Sequence, residues 1–223
     1  MKLIKFDDEM EKYRFIKEKL YTPVLSDVMD QLGLQNRAME AHIRPLSPDD
    51  VVVGRVRTML WTDVYEVYEN PYKVEIEAMD RLKPGDVVVH SAGSKRSAPW
   101  GALMTAAAIA RGAHGAVMDG YVRDVKKILR MGFPVFAAGI RPLDSKGRCY
   151  VFDYDCPIEC GGVLMKKGDL IVGDYDGVVV VPQEVENEVL ALALEKVEKE
   201  DYSLQELRKG CYLQDVYARY KVL

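Results

Sequence analysis

Arg123-Asp124 is the pair of residues in this chain whose types best suit chemistry on a small anion. A guanidinium fork can hold a carboxylate or carbonyl oxygen and stabilise a developing enolate. An adjacent aspartate at a helix start can hold a hard divalent cation such as Mg2+. Read locally, the same two residues also fit an aspartate N-cap beside a surface arginine. A second feature lies upstream, where the loop 92–101 precedes an alanine-rich stretch. There the free N–H groups of Ala102, Leu103 and Met104, with the helix dipole, would attract a carboxylate, and Lys95 and Arg96 would add positive charge. The plain alternative is a strand–helix connection with a solvated basic pair. The GxxxxGK[ST] pattern of a P-loop is absent.

These features need a scaffold that brings them to one edge. The valine run 87–89 followed by His90-Ser91 reads as a buried strand, and Ala102 to Arg111, closed by Gly112, reads as a helix. Ala116 to Asp119 is a second strand leading into a glycine turn at Gly120, a helix runs from about Asp124 to Met131, and residues 134–137 form another strand. This βαβ succession predicts parallel pairing over 87–137, with both features beyond the strand C-termini, where open α/β sheets bind ligands. Around it, helices are expected over 7–20, 22–32, 71–82 and 183–201, with a strand over 51–60. Residues 161–165 and 170–174 read as a hairpin, and four valines at 178–181 as a further strand. Ser203-Leu204-Gln205-Glu206 reads as a capping box opening a last helix. The fold class is therefore α/β, one domain with helices flanking a β-rich centre.

Composition removes several function classes. The 223 residues are 48% hydrophobic and 30% charged, with a formal net charge of −4 and mixed signs along the chain. No basic stripe supports nucleic-acid binding, and no apolar run is long enough to span a bilayer. Acids near the N-terminus replace the apolar core of a signal peptide. The four cysteines (149, 156, 160 and 211) form no CxxC pair and have no histidine at zinc spacing, so reduced thiols and a cytoplasmic location are expected. Weaker readings attach to single residues. His90 fits core or edge packing, His114 a helix C-terminus, Asp119 a partner for Arg123 or the turn, Tyr121 packing at the turn, and Asp174 and Asp176 turn positions.

Residues 100–104 (WGALM) and 111–124 (RGAHGAVMDGYVRD) resemble the core signature of the RraA-like family. Residues 22–30 (TPVLSDVMD), 157–163 (PIECGGV) and 168–182 (GDLIVGDYDGVVVVP) fit the same family, so the resemblance covers nearly the whole chain. It implies a single-domain α-β-β-α sandwich over 1–223, assembled as a homotrimer or dimer of trimers with sites at subunit interfaces. It also implies a divalent-metal-dependent lyase cleaving a carbon–carbon bond of a small 2-oxo acid, as a 4-hydroxy-2-oxo acid aldolase or oxaloacetate decarboxylase that releases pyruvate. By the same resemblance Asp124 would coordinate Mg2+ or Mn2+, Arg123 would hold the substrate oxygen, and Gly101 to Met104 would line the carboxylate site. A C-terminal helical extension, 183–223, would reach a neighbouring subunit and supply a glutamate, with Glu200 the best match and Glu198 the second. The enzymes' pattern has an acid where this chain has Ala102. The family also contains non-catalytic regulators that bind a ribonuclease; these usually lack the aspartate of the Arg–Asp pair. A methyltransferase reading finds no glycine-rich nucleoside-binding loop in support.

Overall fold

The computed structural model describes residues 6–91 and 96–222. Four parallel strands form its framework: β2 (Val52–Asp63), β3 (Asp86–His90), β4 (Gly115–Val122) and β5 (Val135–Ile140). The connections are α3 (Lys73–Asp80), α4 (Ala102–Ala110) and α5 (Val125–Met131). The short β1 (Arg44–Pro45) closes one edge against β5. β2 is long enough to serve two partners on its other side. Residues 52–55 pair with β9 (Leu170–Asp174) and residues 59–63 with β6 (Cys149–Tyr154), both antiparallel. β10 (Gly177–Val181) continues beyond β9. The helices α1 (Glu9–Lys19), α2 (Thr22–Gln31), α6 (Glu186–Arg208) and α7 (Leu213–Tyr220) complete the chain.

Because successive strand residues face opposite ways, each buried valine run feeds two cores. Val88, Ala116, Met118 and Val135 face outward onto Ala78 and Met79 of α3, Ala108 of α4 and Ile128 of α5. Val87, Val89, Val117 and Phe136 face inward and meet Ile171, Val178 and Val180 from the β9–β10 half of the sheet. The two halves approach closely: a Cβ on Gly173 of β9 would stand 3.0 Å from Phe136 Cζ, so glycine permits the contact. Val53, Leu170, Val172, Val179 and Val181 face outward on the far side. They pack against Ile16 of α1, Leu25, Val28 and Met29 of α2, and Val189, Leu190 and Ala193 of α6. Helices, one half of the sheet, the other half and helices follow in that order, which is the α-β-β-α sandwich that the family resemblance implies.

Some local expectations need correction. Residues 161–165 and 170–174 do not form a hairpin. Val163–Met165 (β8) pairs instead with Ile158–Cys160 (β7) in a separate two-stranded ribbon, and Leu170–Asp174 pairs with β2 and β10. The reversal falls at Gly161 and Gly162, whose φ values of 55° and 75° suit a tight turn. Gly120 and Tyr121 are not a turn; β4 runs through them to Val122, with its register slipping against β5 between Met118 and Tyr121. Ser203 does not open a new helix. Its hydroxyl donates to the Lys199 carbonyl inside a continuous α6 that extends to Arg208.

Candidate active site

The cleft forms where β2, β3, β4 and β5 end. Each strand contributes the segment that follows its C-terminus: the start of α3 after β2, residues 99–104 after β3, Arg123-Asp124 after β4, and Asp144-Ser145 after β5. The cleft measures about 390 Å³, enough for a small dicarboxylate. Beyond β3 the chain returns to the sheet: Trp100 bridges Val122 in parallel, and the Arg123 N–H donates to the Trp100 carbonyl at 2.9 Å. Trp100 is fully buried and stacks on Phe133. Its indole N–H donates to Thr105 Oγ1, whose hydroxyl donates to the Gly101 carbonyl at 3.1 Å. The start of α4 is thereby fixed against the end of β4.

At this junction the Asp124 carboxylate accepts the Ala102 N–H at 3.2 Å through Oδ2. Asp124 has a left-handed backbone (φ 60°), which asparagine and aspartate tolerate better than other non-glycine residues. A Cβ on Gly101 would stand 2.9 Å from Asp124 Oδ2 and 3.2 Å from Arg123 Cγ, so the position accepts no side chain without displacing the pair. The N–H groups of Leu103 and Met104 have no acceptor among the described residues and remain open at the helix start. Arg123 Nη2 pairs with Asp144 Oδ1 at 2.8 Å. Asp144 also accepts the Tyr72 hydroxyl at 2.7 Å and the Lys146 N–H at 3.2 Å through Oδ2. Burial pushes the Asp144 carboxyl up, but these two donors and the Arg123 charge outweigh it and hold the group below its ordinary value.

Arg123, Asp124, Gly101, Leu103 and Met104 therefore share one cleft. Ala102 is buried beneath it and contributes its N–H to Asp124 rather than a lining side chain. Arg96 turns elsewhere, donating to the Val64 carbonyl and lying over the Tyr65 ring, and Lys95 lies outside the described residues. Asp119 does not orient Arg123. It holds His42 Nε2 at 2.9 Å and the Gly161 N–H at 3.1 Å. Asp174 does more than form a turn, since it accepts both the N–H and the hydroxyl of Thr22 at the start of α2. His90 is sealed between Trp61 and Trp100, and burial pushes it down to about 3, so it is neutral core. Glu200 is outside this chain's own cleft, where it accepts the Tyr21 hydroxyl and lies 3.7 Å from Lys196 Nζ. Glu198 is an exposed residue of the same helix.

Five lining residues escape a sequence reading: Tyr72, Glu75, Ile76, Asp144 and Ser145. Glu75 is only 5% exposed and makes no hydrogen bond to a described residue. Burial, reinforced by the Asp144 charge and only partly offset by Arg123, pushes its carboxyl up to about 8. An acid in the first turn of a helix ordinarily signals a solvated complement to the dipole, so nothing in the local pattern singles it out.

No group of three His, Cys, Asp or Glu side chains among the described residues could alone enclose a metal ion. Mg2+ needs no such cage; it commonly takes one or two carboxylates and completes its shell with water and substrate. Asp124 lines the cleft and its Oδ1 makes no hydrogen bond to a described residue, which fits a cation held in that manner.

An α-β-β-α sandwich with an arginine, an unpaired carboxylate oxygen and open helix N–H groups at its parallel-strand edge defines a class of α/β protein able to grip a small carboxylate. The chain belongs to the RraA-like family: the model described as Aldolase/RraA matches residues 22–180. A relative from Halalkalibacterium halodurans, named "Putative 4-hydroxy-4-methyl-2-oxoglutarate aldolase", is 37% identical over 176 residues, covering 78% of this chain and 79% of that one. Among solved structures, an uncharacterized protein from Pseudomonas syringae pv. tomato superposes with a TM-score of 0.83 at 27% identity, covering 96% and 98% of the two chains. Streptomyces coelicolor RraAS2, described as an unusual member of the RNase ES inhibitor RraA family, gives a TM-score of 0.78 at 26% identity, covering 90% and 98%.

Proposed function

We propose that this protein is a lyase that cleaves a carbon–carbon bond of a small 2-oxo acid and releases pyruvate, with a divalent cation such as Mg2+ or Mn2+ as cofactor. One observation carries the reading: Arg123, Asp124 and the open N–H groups of Leu103 and Met104 converge on a single cleft. The aldolase names of the relatives support the same class.

The Leu103 and Met104 N–H groups receive the carboxylate of the 2-oxo acid, and the positive end of α4 favours its charge. Arg123 donates to the keto oxygen. Asp144 and Tyr72 hold the guanidinium in place, so the cationic fork needs little reorganisation as negative charge grows on that oxygen. The bond between C3 and C4 breaks, its electron pair passing into the enolate, and protonation at C3 gives pyruvate. Asp124 would hold the cation, which supplies further positive charge at the enolate. Pyruvate release from oxaloacetate and from a panel of 4-hydroxy-2-oxo acids tests this. Activity should vanish on chelation, return with Mg2+ or Mn2+, and fall at least ~100-fold in Asp124→Ala; unchanged activity in either arm refutes the scheme.

In the proposed assembly, a homotrimer or dimer of trimers, the helical region 183–223 brings Glu200 to a neighbouring cleft. The structural likeness to RraAS2 supports one rival, a regulator that binds a ribonuclease. That rival predicts no turnover of any substrate in the panel.

A further inference from the structure

We propose that Glu75 is the proton donor that converts the pyruvate enolate to pyruvate. The inference rests on the lyase reading and adds the residue that completes its chemistry. Cleavage leaves an electron pair on C3 of the enolate, and a proton must reach that carbon within the cleft. Most polar groups there are committed to other tasks. Asp144 is ionised and tied to Arg123, Tyr72 and Lys146. The Tyr72 hydroxyl already donates to Asp144. Asp124 accepts the Ala102 N–H and would hold the cation. Glu75 is the exception: a cleft-lining carboxyl, nearly cut off from solvent, with no internal partner among the described residues. It stands one helical turn beyond Tyr72 and next to the charge pair that grips the keto oxygen.

The step balances without any further reagent. The C4 hydroxyl proton of an aldol substrate leaves to water as the C3–C4 bond breaks. The Glu75 O–H bond then breaks, its proton joins C3, and the carboxylate regains a proton from solvent after product leaves. In a decarboxylation, CO2 leaves in place of the carbonyl fragment and the Glu75 step is identical. Substrate anions entering the cleft further favour the neutral acid.

By microscopic reversibility, the Glu75 carboxylate must remove a methyl proton from bound pyruvate. Exchange of pyruvate methyl protons in D2O, followed by NMR, therefore isolates this step without knowledge of the natural substrate. The groups facing Glu75 are Tyr72 on its own helix, Arg123 after β4, Asp144 after β5 and Cys149 on β6. Burial pushes Tyr72 up to about 12 and Cys149 up to about 11, and Asp144 is held low, so none of these three titrates between pH 6 and 9. Exchange by the wild-type, metal-loaded protein should rise with pH and then level off as the Glu75 acid gives way to its carboxylate.

Glu75→Gln preserves the size and neutrality of the acid. It should bind oxalate, a planar enolate mimic, within about threefold of wild type while losing at least ~100-fold in exchange. Glu75→Asp, which retains a carboxyl, should restore part of the rate. Exchange within a few-fold of wild type in Glu75→Gln overturns the proposal, as does loss of oxalate affinity in parallel with exchange. A wild-type profile with no rising limb overturns it without any variant. If wild type still releases pyruvate in those cases, only the Glu75 assignment falls. If wild type neither exchanges nor releases pyruvate, the lyase reading falls and this inference with it.

Discussion

Glu75 and Glu77 lie two residues apart on α3 and live in different dielectrics. Glu77 is exposed and accepts from Arg81 and the Tyr154 hydroxyl, whereas Glu75 is turned into the cleft wall. The difference has a consequence for stability as well as catalysis. The folded-state carboxyl of Glu75 lies above its ordinary 4.5, at about 8, so the folded protein binds a proton that the unfolded chain releases. The stability tied to that proton is full below pH 4.5 and is lost as the pH rises through 8. Replacing the group with a permanently neutral amide removes the loss. Glu75→Gln should lie within about 1 kcal/mol of wild type in urea unfolding at pH 5 and exceed it at pH 9 by on the order of 4 kcal/mol; equal stabilities at pH 9 would mean that the carboxyl is ionised at little cost.

At the scale of elements, the site depends on the seam between the end of β4 and the start of α4. Trp100, Thr105 and the Arg123 N–H fasten the seam, and Gly101 gives it room. A methyl group at 101 meets the Asp124 carboxylate and the Arg123 side chain, not the core. Gly101→Ala should therefore lower pyruvate release at least ~10-fold while thermal unfolding shifts by only a few degrees. A variant with full activity would show that the seam can open without cost.

This seam was legible in outline, because the βαβ order put the start of α4 and the Arg-Asp dipeptide beyond neighbouring strand ends and the family resemblance gave the pair its roles; read locally, the dipeptide fitted an N-cap equally well. The opposite wall was not. Glu75 and Asp144 each look like solvated acids, and only the order of strands β2 to β5 delivers them to the same edge. The hairpin expected over 161–174 failed for a related reason. Asp169 does fold the 166–169 turn, accepting the Lys166 N–H, but the strand leaving that turn finds β2 and β10 as partners. Turn chemistry fixes where a chain bends; the hydrophobic faces decide what it then pairs with.

The whole molecule is a two-sided sandwich with its binding edge open. On one side α3, α4 and α5 cover the parallel strands and present the cleft. On the other, α1, α2 and α6 pack on β9 and β10, and a buried Glu186 carboxylate joins α6 to Arg55 of β2 and Lys12 of α1. The second side carries no cleft residue, which leaves α6 and α7 available for the assembly proposed above. Among the described residues, no helix is long and apolar enough to cross a membrane. The proposed function requires one cleft at the parallel-strand edge to hold both anion and metal, and a crystal structure grown with oxalate and Mn2+ would reveal whether it does. It should place oxalate oxygens within hydrogen-bond distance of the Leu103 and Met104 N–H groups and of the Arg123 guanidinium, with an anomalous manganese peak beside Asp124. Oxalate bound elsewhere, or a cleft holding neither anion nor metal at saturating concentrations, would contradict it.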